Sequence, residues 1–266
     1  MTTFSSPVKT LLLATAAVCA MGMASMASAA ESKDICDQLA ASSYDTTRPA
    51  GVTGVEEEKI DVAKALPACT DAHAANKDPR YAFQLGRVLY KDGKKAEAIA
   101  LYEQAANAGF VVAMVNFAFR TEDTKPVEAF AWYKKAADAG NLLGYYNLGV
   151  AYQNGVGTEP NGRLSLEAYL KASDMGDGLA TFNMGSLHDE GKLVTANKEE
   201  AVRLYKIAID RGIVDAMFNL AYLYENGDGI PVDKPAALAL YKKAAALGDT
   251  ESAEKAKLLE AAGSAQ

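Results

Sequence analysis

Apolar and polar positions divide the 266-residue chain into three stretches. From Leu11 to about Met26 it is almost wholly apolar and rich in alanine, and Lys9 is the only charged side chain before Glu31. Residues 31–78 are mixed. A helical pattern surrounds Cys36, a loop runs through Arg48, Pro49, Ala50 and Gly51, and a second helical pattern begins at about Glu56 and meets Pro67. From residue 79 to 248 apolar residues recur at intervals of three and four, as in DAMFNLAYLY over 215–224. That is the period of one buried helix face.

The third stretch repeats itself. Gly109, Gly140, Gly176, Gly212 and Gly248 are spaced by 31, 36, 36 and 36 residues. Seven positions before each stands Tyr102, Tyr133, Tyr169, Tyr205 or Tyr241, and four before each stands an alanine, from Ala105 to Ala244. Seven after the first four stands Asn116, Asn147, Asn183 or Asn219, and Gln84 takes that slot in the first unit. Registers kept in step over so long a stretch mark an internal repeat.

Each unit divides into two helices, A and B. Asn226-Gly227 ends an A helix, as Asn154-Gly155 and Glu190-Gly191 do at the same phase. Glycine suits the left-handed residue after a helix end. B helices begin after Asn161, Asn197 and Asp233, all good N-caps. Glu200, three residues beyond Asn197, completes the letters of a capping box. The pattern predicts an all-α solenoid of five antiparallel helix pairs: 79–109, 110–140, 141–176, 177–212 and 213–248. The first two have a shorter A–B connection. An N-terminal helical cap spans 31–78. A capping helix from about Glu251 to Ala261, with a tail, fills 249–266. Stability in such an array is mostly nearest-neighbour packing.

The first stretch is an address. A positive start, an apolar core and small residues at Ala27, Ser28, Ala29 and Ala30 predict a signal peptide over residues 1–30, cleaved after Ala29 or Ala30. The alternative, an uncleaved anchor, needs roughly 18–20 apolar residues without a processing site. A lipoprotein site at Cys19 fits poorly, with Ala16 and Val18 before it. No later stretch is apolar enough to span a membrane, so no stable anchor is expected after cleavage. The expected location is periplasmic or secreted. Net charge is −7 and the pI about 5.0. Loss of Lys9 with the leader makes the charge −8. That balance argues against nucleic acid as a partner and against docking on anionic lipid.

Export changes the reading of the cysteines. Cys19 leaves with the leader, and Cys36 and Cys69 remain, 33 positions apart. An even pair bound for an oxidising compartment predicts one disulfide, with a loop that stabilises by about 3–4 kcal/mol in the chain-entropy model. The alternative is two buried thiols. Their spacing and the presence of only two histidines exclude a CxxC redox centre and a zinc site.

Residues 216–248 (AMFNLAYLYENGDGIPVDKPAALALYKKAAALG) resemble a Sel-one-like repeat, a 36-residue relative of the tetratricopeptide repeat. Residues 141–248 match the pattern well and 79–140 more loosely, nearer the tetratricopeptide form. The resemblance implies a right-handed α-superhelix whose concave face serves as an adaptor for other proteins in envelope stress, signalling, virulence or quality control. A cysteine-rich secreted branch of the family is linked to penicillin binding and hydrolysis. Its disulfides lie within each repeat, where this chain has no cysteine.

The asparagine register is the sharpest candidate site. Asparagine is a mediocre helix former, yet it recurs in mid-helix at Asn116, Asn147, Asn183 and Asn219. An amide both donates and accepts, which suits clamping the backbone of a bound peptide. The alternative is a structural amide bonded to a neighbouring helix. Tyr145, Thr181 and Met217 share one phase of the A helices and differ in type. They set groove specificity if they face the groove, and are surface or seam residues otherwise. Trp132 is a packing residue or a ligand platform. Lys134, Lys135, Lys171, Lys206, Lys242 and Lys243 lie late in B helices, where cations oppose the helix dipole.

Catalytic sets are weak. His188 holds the slot of Tyr152 and Tyr224, and His73 stands alone. Ser252 and Lys255 match S-x-x-K without an S-D-N or K-T-G. Gly157 to Arg163 lacks a P-loop lysine, and Asp228-Gly229 lacks the other ligands of a calcium loop. The reading is therefore a non-enzymatic, exported scaffold without cofactor or metal that binds a protein or peptide. The alternatives are a β-lactam-binding or hydrolysing protein and a cell-wall adaptor contacting peptidoglycan or a wall enzyme.

Overall fold

The structure, a computed structural model, describes residues 30–264. Residues 1–29 of the leader, with Cys19, lie outside the described residues. Those described are helical with no strand. After a helix over residues 30–40, α1, come a 3-10 turn, Glu57–Lys59, and α2, Val62–Ala75. The helix pairs follow as α3 (Pro79–Lys91) with α4 (Lys95–Asn107), α5 (Val111–Thr121) with α6 (Pro126–Asp138), α7 (Leu142–Asn154) with α8 (Gly162–Asp174), α9 (Gly178–Glu190) with α10 (Lys198–Asp210), and α11 (Val214–Asn226) with α12 (Lys234–Ala246). Last comes α13, Thr250–Ser264.

Two compact units divide the chain within α5, one up to Phe117 and one from Ala118. In the first, α1 and α2 cap α3. The disulfide Cys36–Cys69 joins them. The buried positions of α2, Ala65, Ala68, Cys69 and Ala72, share the spacing of Ala201, Leu204, Tyr205 and Ala208 in α10. Cys69 thus stands where a B helix carries its tyrosine. Burial runs unbroken through α3 from Tyr81 to Leu89. Buried Asp37 of α1 accepts from Gln84 Nε2 at 2.7 Å and from the Tyr81 hydroxyl at 3.3 Å. Arg87 donates to the carbonyls of Ala40 and Val55. Burial, and then the Asp37 carboxylate, push the Tyr81 hydroxyl up to about 12. Pro67 does not end α2. It lies inside that helix, which starts at Val62 behind the Asp61 N-cap rather than at Glu56. The missing N–H of proline removes one helical bond, and packing of the small buried residues carries the helix past it.

In the second unit the predicted ends are all present. Asn161, Asn197 and Asp233 accept from the backbone three residues on. Gly155, Gly191 and Gly227 sit in the left-handed region with φ of 75°, 67° and 68°. The capping box is only half formed: the Asn197 N–H goes to the His188 carbonyl and the Glu200 side chain to Arg203. Asn161 and Asp233 donate equivalently to Tyr152 and Tyr224, so each A–B loop is tied back to its own A helix. Close approach also fixes small residues. A Cβ on Gly149 would meet the Tyr169 ring at 2.5 Å, and one on Gly185 the Tyr205 ring at 2.8 Å.

Candidate interaction face

The five register tyrosines are fully buried. In the second unit their rings lie against an A-helix aromatic: Tyr146–Tyr169 at 5.9 Å, Phe182–Tyr205 at 5.8 Å and Phe218–Tyr241 at 5.6 Å between centroids. Their hydroxyls donate to Gln153, Asp189 and Glu225 at 2.8, 3.0 and 2.9 Å, and Tyr133 donates to Glu122. Burial raises all four hydroxyls above the ordinary tyrosine value. These acceptors were missed in the sequence, although Gln153, Asp189 and Glu225 keep the same 36-residue step.

The asparagines sit beside those rings, each immediately after the A-helix aromatic in α7, α9 and α11. All are half-buried. Asn219 Nδ2 donates to the Tyr205 hydroxyl at 3.3 Å, and Asn183 faces the Tyr169 hydroxyl. Asn147 and Asn116 donate to the carbonyls of Leu143 and Val112 one turn back. Gln84, in the same slot of α3, is buried beneath the cap, with Oε1 3.0 Å from Cys36 Sγ. A disulfide sulfur carries no proton, so this is a contact and not a hydrogen bond.

Two of the three groove-specificity positions are too buried to line a groove. Thr181 is 0% exposed and Met217 2%. Thr181 Oγ1 bonds Ser173 Oγ at 2.7 Å and accepts from Arg211. Tyr145 is half-buried against the cluster around Tyr169. Thr181 thus faces the seam with the preceding B helix, α8, while Tyr145 lies toward the B helix of its own pair, so the shared phase does not give the three positions one environment. Trp132 is buried, with Lys135 Nζ 3.9 Å from its ring centroid. Lys134 pairs with Asp138, and Lys242 with Glu260. Ser252 is fully buried and Lys255 Nζ lies 3.3 Å from Glu225, an arrangement that gives the serine no access to a substrate. Among the described residues no three metal-ligating side chains converge, and no helix is long and apolar enough to cross a membrane.

Stacked helix pairs in a fixed register, held by buried tyrosines and closed by glycine, define an α-solenoid repeat protein. The Sel1 repeat model matches residues 79–110, 123–141, 142–177, 178–213 and 214–249, and the chain belongs to that family. The second match leaves out α5. A Sel1 repeat protein from Oxalobacter formigenes is 25% identical with a TM-score of 0.62, over 72% of this chain and 81% of that one. The protective antigen c5321 of uropathogenic Escherichia coli, with an SLR fold, is 22% identical with a TM-score of 0.62. It is matched over 74% of this chain, which spans 44% of the antigen. No curated protein matches at a significant level. Sel1 repeats generally act as scaffolds for protein–protein interaction and are typically non-enzymatic.

Proposed function

We propose that this chain is an exported scaffold that takes a segment of a partner protein on its A-helix face, in envelope regulation or assembly. The reading is carried by the aromatic–amide pairs Tyr146-Asn147, Phe182-Asn183 and Phe218-Asn219, repeated on three successive A helices. Each amide is half-buried and has more donors and acceptors than its internal bond uses. The leader-like residues 1–30 and the buried disulfide support an oxidising, exported location.

The test is a crosslinking pull-down from envelope extract. Mature protein is compared with an Asn147→Ala, Asn183→Ala, Asn219→Ala variant of unchanged circular dichroism. A partner is expected with the first and lost with the second. Equal capture by both moves the interface off these helices. Native material should begin at Ala30 or Glu31, and an intact leader would refute cleavage in favour of an uncleaved anchor.

A further inference from the structure

From α6 to α12 lysine and arginine, though not the acids, are sorted by helix type. The A helices α7, α9 and α11 contain no lysine or arginine. The B helices α6, α8, α10 and α12 contain ten. Helix dipoles do not explain this, because A and B helices alike end in a negative pole that favours cations. The last turns of α9 and α11 nevertheless carry Asp189, Glu190 and Glu225 and no lysine or arginine.

Those three carboxylates are already paired, with Lys198, Lys192 and Lys255, and the exposed stripe of the A helices adds further acids to apolar surface. Leu179 is 47% exposed and Tyr222 46%. Asp215 is exposed one turn before Phe218. The register continues into α13, where Glu251, Glu254 and Leu258 hold the slots of Asp215, Phe218 and Tyr222, all exposed. The surface is continuous there, since Lys255 Nζ lies 5.6 Å from the centre of the Tyr222 ring. Among the described residues Lys255 is the one cation in the asparagine slot of the stripe, held by Glu225 at 3.3 Å, and Lys257 is exposed beside Leu258. Asp215, Glu251 and Glu254 form no ion pair among the described residues.

We infer that this face takes a cationic segment, a stretch of partner chain presenting lysine or arginine beside apolar side chains. Its basic groups meet Asp215, Glu251 and Glu254, and its apolar groups meet Leu179, Tyr222 and Leu258. The inference rests on the A-helix face being the docking face. Unpaired carboxylates beside exposed apolar side chains attract such a segment from a distance and set its direction.

The probe is a phage-displayed library of random 12-residue peptides, selected on the mature, disulfide-bonded protein. Selected peptides are then measured as synthetic ligands against three proteins: the wild type, Asp215→Lys/Glu251→Lys/Glu254→Lys, and Asn183→Ala/Asn219→Ala. Enrichment in lysine and arginine is expected, with affinity about tenfold weaker in the charge-reversed protein and weaker again in high salt. The milder Asp215→Asn/Glu251→Gln/Glu254→Gln protein should show an intermediate loss, which separates charge from misfolding. Peptides that need the asparagines but are indifferent to charge reversal would overturn the cationic class and leave the docking face standing. Peptides indifferent to both variants, or an empty selection, would overturn the docking face as well.

Discussion

A register tyrosine here has a ring and a hydroxyl in different roles. The ring fills the seam against an A-helix aromatic, and the hydroxyl needs an acceptor because a buried polar group without one is costly. In Tyr133, Tyr205 and Tyr241 that acceptor is a carboxylate. Burial first, then the carboxylate in Tyr133 and Tyr241, holds the proton on. The folded value lies above the unfolded value near 10. The stabilisation is therefore complete below pH 10 and is lost as pH rises from there through the folded values, because only the unfolded chain ionises readily. An alkaline titration followed at 295 nm and by far-ultraviolet circular dichroism should show the buried set ionising together with loss of helix. Complete tyrosinate formation with the helix signal intact would contradict the buried positions.

At the scale of the element, the ends are set by single residues. Asn197→Ala removes the bond to the Glu200 N–H and should cost about 1 kcal/mol, measured by denaturant unfolding. Glu200→Ala should cost less, since its carboxylate pairs with Arg203 at the surface instead of closing a capping box. A larger loss for Glu200 would restore the box. Helix ends were legible in the sequence because glycine and cap residues act through their own backbone. The helix pairs were legible for the same reason. Burial within a register was not. A common phase puts Tyr145, Thr181 and Met217 on one side of their helices, without saying what each one meets. Thr181 was resolved only by its neighbours Ser173 and Arg211. The continuation of α2 through Pro67 escaped notice too, because proline's local cost is visible in sequence and the packing that offsets it is not. The tyrosine acceptors were legible in principle, at a step of 36 residues, but their chemistry varies between amide and carboxylate and so hides the pattern.

For the whole molecule, repeat packing makes stability local. The disulfide joins α1 to α2, and through Asp37, Gln84 and Arg87 this cap covers α3. Breaking it releases the constraint worth about 3–4 kcal/mol on the unfolded chain, and the loss should stay near the cap. Hydrogen exchange on protein treated with reductant, or on Cys36→Ser/Cys69→Ser, should accelerate across residues 30–91 and leave α7 to α12 at their original protection. Acceleration spread evenly to α12 would mean that the array unfolds as one cooperative body. The same comparison separates the cap from the docking face. If partners bind α7 to α13, reduced protein should still capture them at unchanged affinity, whereas loss of capture on reduction would move the binding surface to the capped end of the chain.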